Sequence, residues 1–380
     1  MKWWRGRKAA RETGRPSLFR AWMAAPATGD WPRGYEAQVR DGYVANPVAQ
    51  RAVRLVSESV AWAPVYSDRS GTSIREGDGQ GERAVGLVTA PLLETVSAQL
   101  LLHGNAFVQV LVDAEAAPAE LYPLRPERVT VEPGAGGWPQ AYVYKAGEAK
   151  TRLPARDGLG RPTLVHLKAM HPLDDHYGLG CLGAAAGAVA IHNAATRWNK
   201  ALLDNAARPS GALVHDPADG SALTGEQLDR LRSDLDALFA GAANAGRPML
   251  LDGGLKWQAM SLTPAEMDFV GLKAAAAREI ALAFGVPPML LGLPGDSTYA
   301  NYREANRALW RLTVLPMAER ILAGLSGGLA AWWPGTRLRV DVDQVTALAE
   351  DRERLWSQVS GAGFLSDAEK REMLGFGRET

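Results

Sequence analysis

The stretch IALAFGVPPMLLGLPGDSTYANYREANRALWRLTVLPMAERI, residues 280–321, decides how this chain is read. It holds the end of one helix, a loop, and the start of another helix, each with its own punctuation. Upstream, Thr263-Pro264-Ala265-Glu266 supplies a hydroxyl for a backbone N–H, a proline suited to a first turn and a glutamate that reaches back, which together make a capping box. Phe269, Leu272, Ala276, Ile280 and Ala283 then line one face of a 3.6-residue period. Gly285 ends that helix, because glycine accepts the left-handed cap and Pro287-Pro288 cannot continue the hydrogen-bond ladder.

The loop from Val286 to Tyr302 has an apolar half, Met289 to Leu293, and a polar half with Asp296, Ser297, Thr298 and Asn301. Thr298 or Asn301 caps the helix that follows, with Glu304 at the third helical position if Asn301 is the cap. That helix carries two apolar stripes: Ala305, Leu309 and Leu312 on one side, Trp310, Val314, Met317, Ile321 and Leu325 on the other. Pro316 removes the bond to Leu312 and predicts a kink. Arg303, Arg307 and Arg311 stand one turn apart between the stripes. Three readings stand for them: an intersubunit salt bridge, contact with DNA phosphates, or a solvated stripe beside Glu304. Partners on offer for pairing are Asp204, Glu266, Asp268 and Glu279.

These residues resemble phage portal proteins of the HK97 type, in which the segment is a stem helix, a tunnel loop and a kinked helix. LLLHGNAFVQV (100–110) and ELYPLRPERVTV (120–131) are similar to the family's wing motifs, and NKALLDNAARPSGALV (199–214) is similar to its first stem helix running into the clip. The resemblance implies an α+β portal fold with an α/β wing, long stem helices, a small α/β clip and a short helical crown. Its expected division is an N-terminal arm (1–43), wing (44–181), first stem helix (182–208), clip (209–262), second stem helix (263–285), tunnel loop (286–302), kinked helix with return to the wing (303–337) and crown (338–380). It also implies a dodecameric ring at one capsid vertex of a virion, assembled in host cytoplasm. The implied partners are copies of itself, the major capsid protein, the large terminase subunit, a head–tail adaptor and double-stranded DNA held without base readout. No cofactor is expected. Leu293, Pro294, Gly295, Asp296, Ser297, Thr298, Tyr299 and Asn301 are the channel candidates, and Met249, Leu250, Leu251, Leu255 and Trp257 belong to the clip. A gene transfer agent shares this fold.

The rest of the chain is consistent with that division. Its 380 residues suggest two or three domains. Lys plus Arg equal Asp plus Glu at 42 each, so the chain lacks the excess charge of a free-standing nucleic-acid binder. One cysteine, Cys181, excludes an internal disulfide framework, and no basic partner activates it, so it is read as structural. No run of about 18 apolar residues spans a membrane. MKWWRGRKAARETGR is basic, and reads either as an arm for a partner or nucleic acid or as a solvated tail.

Asn46-Pro47 opens a helix whose stripe is Val48, Ala52, Leu55, Val56 and Val60. A strand follows at 64–67, a Gly-rich surface loop at 68–84, and a helix from Pro91 to His103 that stops at Gly104. Strands are expected at 105–112, 121–124, 128–132, 141–145 and 163–168, then a long small-residue helix at about 182–207. Residues 209–262 read as strand, helix and hairpin, with a capping box at Thr224–Gln227 and a turn at Asp252-Gly253-Gly254. A strand at 338–342 and helices at 344–360 and 366–374 close the chain.

One cluster, His171, Asp174, Asp175 and His176, has metal-ligand chemistry, and a metal-dependent hydrolase built on it is the competing reading. Its spacing matches no catalytic motif, and the plainer reading is a polar turn between strand and helix. Neither a G-x-x-x-x-G-K-[ST] phosphate loop nor a G-x-S-x-G elbow occurs, so no catalytic set is expected.

Overall fold

The computed structural model describes residues 34–69, 79–204, 211–215, 224, 226–227, 229–230, 233, 255–259, 269–293 and 299–374. In chain order it contains α1 (Tyr35–Val39), α2 (Pro47–Ala61), β1 (Val65–Arg69), α3 (Gly79–Leu87), α4 (Ala90–His103), β2 (Asn105–Val112), β3 (Pro118–Leu124), β4 (Val129–Pro133), β5 (Pro139–Ala146), β6 (Ala149–Pro154) and β7 (Leu164–Lys168). Then come α5 (Cys181–Asp204), β8 (Gly211–His215), β9 (Leu255–Ala259), α6 (Phe269–Ala283), α7 (Tyr299–Leu309), α8 (Leu315–Leu329), β10 (Thr336–Val340), α9 (Ala349–Gly361) and α10 (Asp367–Met373).

Helix α2 begins where the sequence placed it. The Asn46 side chain accepts from the backbone of Val48 and Ala49, and Pro47 fills the first turn. The same amide donates to Asn193 Oδ1 at 2.9 Å and sits 3.2 Å from His192 Nδ1, so one buried side chain caps α2 and ties it to α5. Helix α4 ends at Gly104, at φ +82°, a left-handed turn that costs glycine least.

Beyond Gly104 the main chain of the 178–180 turn lies directly against it. A Cβ built at Gly104 would fall 2.4–2.6 Å from the backbone of Gly178, Leu179 and Gly180. Asn105 seals this crossing: its Oδ1 accepts from Gly178 N–H at 2.7 Å and from His166 Nε2 at 3.0 Å, and its Nδ2 reaches Gly178 O at 3.2 Å.

Among the described residues four antiparallel sheets result: β3-β2-β7, β4-β5-β6, and the pairs β1-β10 and β8-β9. The larger core lies between helices α2, α4, α5, α6 and α8 and one face of β2 and β7. A smaller one, Phe107, Leu124, Val129, Val131, Tyr142 and Leu164, fills the space between the two three-stranded sheets. Helix α8 seats on β7 through two glycines one turn apart: a Cβ at Gly324 would meet Leu167 at 2.0 Å, and one at Gly328 would meet Val165 at 2.2 Å. Among the described residues no single helix is long and apolar enough to cross a membrane.

Several expectations need correction. The arm drawn over 1–43 ends too late, because Tyr35–Val39 and the π turn Arg40–Val44 are helical and pack on the body, Tyr35 edge-on to His103 at 4.5 Å. Residues 1–33 lie outside the described ones. The loop drawn over 68–84 becomes β1 to Arg69 and helix from Gly79, since Ala84 and Val85 have a core to reach despite the glycines around them. Strand β6 was not anticipated. Its side chains are mostly exposed, which leaves little apolar alternation to read.

Candidate functional site

The site expected from the 280–321 stretch is built by α5, α6, α7 and α8. Helices α5 and α6 run against each other, with Trp198 stacked on Phe269 at 4.1 Å. The capping box proposed at Thr263–Glu266 lies outside the described residues. At its other end α6 closes with two reversed bonds, Gly285 N–H to Leu282 O and Val286 N–H to Ala281 O, with Gly285 at φ +64°. Thr313 Oγ1 donates to Gly285 O at 2.7 Å, so this turn is pinned to the junction of α7 and α8.

Pro288–Leu291 forms a 3-10 turn. Leu290 and Leu291 pack partly on the chain's own core, so the apolar half of the loop is not wholly left for a neighbour. Leu293 is half-buried, and Pro294, Gly295, Asp296, Ser297 and Thr298 lie outside the described residues. Helix α7 has begun by Tyr299, so Asn301 is its third residue and not its cap. Nothing in Tyr299–Tyr302 breaks a helix, which is why the loop ends earlier than drawn.

Pro316 acts as expected but upstream of itself. Lacking an N–H, it leaves Leu312 without a helical donor, and the turn before it widens into a π segment, Trp310–Val314. The second apolar stripe is buried: Val314, Ile321 and Leu325 are fully inside. The first stripe divides. Leu309 is buried, while Leu312 is 77% exposed beside Leu282 at 78%. These two, with Arg278, Gly285, Val286, Pro287, Pro288 and Ala308, line an open apolar groove of about 400 Å³.

Arg303 and Arg307 find partners in their own chain; of the acids named from sequence Glu279 is in none of the described ion pairs, while Glu266, Asp268 and the Asp204 side chain lie outside what is described. Arg303 donates to Glu350 at 2.6 Å. Arg307 donates to both oxygens of Glu304 at 3.0 and 3.3 Å and to Glu350, and its Nε lies 3.7 Å from Asp351. Burial works against the Arg307 charge, but Glu350, Asp351 and Glu304 outweigh it and raise the guanidinium above its ordinary value. Arg311 is exposed. Glu350 and Asp351 occupy the first turn of α9, 43 or more residues away in sequence, and no local spacing signals them.

Of the clip candidates, Leu255 and Trp257 lie on β9, which pairs with β8 in the register Leu213–Trp257 and His215–Leu255. Met249, Leu250 and Leu251 lie outside the described residues. The Thr224–Gln227 box is formed, with Gln227 Oε1 accepting from Thr224 N–H at 2.9 Å.

The His171–His176 cluster holds its own loop. Asp174 Oδ1 accepts from His176 and Tyr177 N–H at 2.8 and 3.0 Å, His171 Nδ1 accepts from Leu173 N–H, and Asp175 contributes its carbonyl to Lys168. Among the described residues no three His, Cys, Asp or Glu side chains are grouped to hold a metal ion. Cys181 opens α5, and burial pushes its thiol up, which keeps it protonated and unreactive.

The family model for phage portal protein matches residues 47–375. An uncharacterized protein of Rickettsia felis is 37% identical over 88% of each chain. A probable portal protein of Streptomyces phage phiC31 is 28% identical over 80% of this chain and 69% of that protein.

Among solved structures, a chain from the virion of a native gene transfer agent particle is 46% identical, with a TM-score of 0.66, over 96% of this chain and 100% of that one. A chain from the neck of a native particle, computed with twelvefold symmetry, is 45% identical with a TM-score of 0.66, over 96% and 99%. An HK97-family portal protein from Corynebacterium diphtheriae shares the fold at 16% identity, with a TM-score of 0.57 over 83% of this chain and 98% of that one. A family model matching most of the chain, with relatives this similar over nearly its whole length, places it: this chain belongs to the phage portal protein family.

Proposed function

We propose that the chain assembles with copies of itself into a closed ring at one capsid vertex, through which double-stranded DNA enters and leaves. The observation that carries this is the 46% identity to a chain of a gene transfer agent virion over nearly the whole of both chains. Twelve copies is the number favoured by the relative whose neck has twelvefold symmetry. The bare groove lined by Leu282 and Leu312 supports a neighbour on that face, since an exposed patch holding two large aliphatics is a usual mark of an interaction surface. The family is a structural one, and no catalytic residue is assigned.

In this reading 44–181 is the wing, α5 and α6 are the stem, 209–262 is the clip and 338–380 a short crown. The tunnel loop, running from Val286 to the start of α7, lies at the narrowest part of the channel in this reading, with Asp296 to Thr298 facing the bore. Capsid protein, terminase and a head–tail adaptor are the expected partners, and the ring resides in the virion after assembly in the host cytoplasm. DNA is held by backbone charge and shape, because a sliding duplex presents every sequence in turn.

Mass measurement and particle images of the purified chain test the ring, and a protein that stays monomeric at high concentration removes it. Deleting Gly295–Ser297 should leave rings intact and impair packaging or retention of DNA. Normally filled heads from that deletion would take the loop out of the channel.

A further inference from the structure

Helix α7 is thinly attached to the body. Of its described side chains, residues 300–304 are exposed, 305–308 half-buried, and Leu309 alone is fully inside. It joins α8 through the Trp310–Val314 π turn, where Pro316 cannot supply the missing bond. What holds it sideways is a set of five charges. Glu350 takes Arg303 on one oxygen and Arg307 on the other, while Glu304 and Asp351 close on Arg307 from two more sides.

Arg307 is only 14% exposed there, and its Nε is buried without a hydrogen-bond acceptor. Three acids and two arginines leave the cage one negative charge over. A guanidinium whose buried Nε lacks an acceptor, held by carboxylates that repel one another, is a joint closed by charge.

We propose that Arg303 and Arg307 of α7 with Glu350 and Asp351 of α9 form a releasable ionic latch, hinged at the π turn, that fixes the position of α7 relative to the C-terminal helices. Any bearing of the latch on the loop that precedes α7 rests on the ring reading above; the latch itself does not. Because the joint is ionic, salt opens it and an apolar seat does not respond in that way: the screening length falls to roughly 3 Å at about 1 M salt.

Amide hydrogen exchange on the purified full-length chain, in low salt and in about 1 M sodium chloride, tests this. Arg307→Gln should speed exchange across 299–309 by about tenfold while α6 and α8 keep their protection. High salt should produce the same change in the unmodified chain and little further change in Arg307→Gln. Arg303→Gln, at a more exposed position, should give a smaller effect of the same kind.

Unchanged exchange over 299–309 in Arg307→Gln overturns the latch, as does protection there that ignores salt. Ring mass, measured on the same samples, separates the two ideas. A chain that never forms rings removes the ring reading while the exchange result still decides the latch, and rings lost only on Arg307→Gln place that residue at a subunit interface and overturn the latch.

Discussion

Gly327 and Gly328 are neighbours on α8 with opposite surroundings, and that contrast gives a sharp test of how the helix is seated. A Cβ on Gly327 would meet nothing within 4 Å, whereas one on Gly328 would fall 2.2 Å from Val165 Cγ2 on β7. Alanine in place of a helical glycine gains about 1 kcal/mol from backbone entropy and propensity. Gly327→Ala should keep that gain. Gly328→Ala must set it against overpacking, which costs about 1–3 kcal/mol when the neighbour is a stiff β-branched side chain.

The two variants should therefore differ by about 1–3 kcal/mol with the sign reversed between them, or several degrees in Tm for a chain of this size. Thermal and denaturant unfolding at fixed protein concentration measure it. Adding Val165→Ala to Gly328→Ala opens the space and should recover part of the loss. Equal stability of the two single variants would refute the seating of α8 on β7.

Asn46→Ala removes a helix cap worth about 0.5–2 kcal/mol and also the tie to Asn193 and His192, so unfolding should shift by more than Asn193→Ala produces alone. Acid should destabilise the chain before its carboxylates titrate. Burial, with Lys168 nearby, lowers His166 to about 3, and burial lowers His103 as well. Each must be neutral in the native state, so the unfolded chain binds the extra proton. Stability is then complete above about pH 6.5 and falls as pH drops toward 3, by about 1.4 kcal/mol per unit for His166. Denaturant midpoints between pH 6.5 and 4.5 should show the slope, and His166→Gln, which still donates to Asn105, should flatten it.

The parts of the fold that were legible in the sequence share a local cause. Asn46-Pro47, Gly104 and Gly285 each impose one backbone state on their own turn, and α2, α4 and α6 start or stop there accordingly. Helix α3 was hidden because Gly79, Gly81 and Gly86 argue locally for a loop, and only contact with the core overrides them. The site divided along the same line. Pro316 and the arginine stripe could be read, being features of one helix. Glu350 and Asp351 could not, because a partner on another helix is chosen by tertiary packing. Leu312 is exposed for the same reason: periodicity identifies a stripe and is silent on what covers it.

At the crossing of Gly104 with Gly178 and Gly180, two main chains touch with no side chain between them. Packed surfaces slide by exchanging rotamers across a layer of side chains, and this crossing has no such layer. It is a weld and not a bearing. A push on the start of α5 therefore reaches the start of β2 through main chain alone, with no rotamer to absorb it.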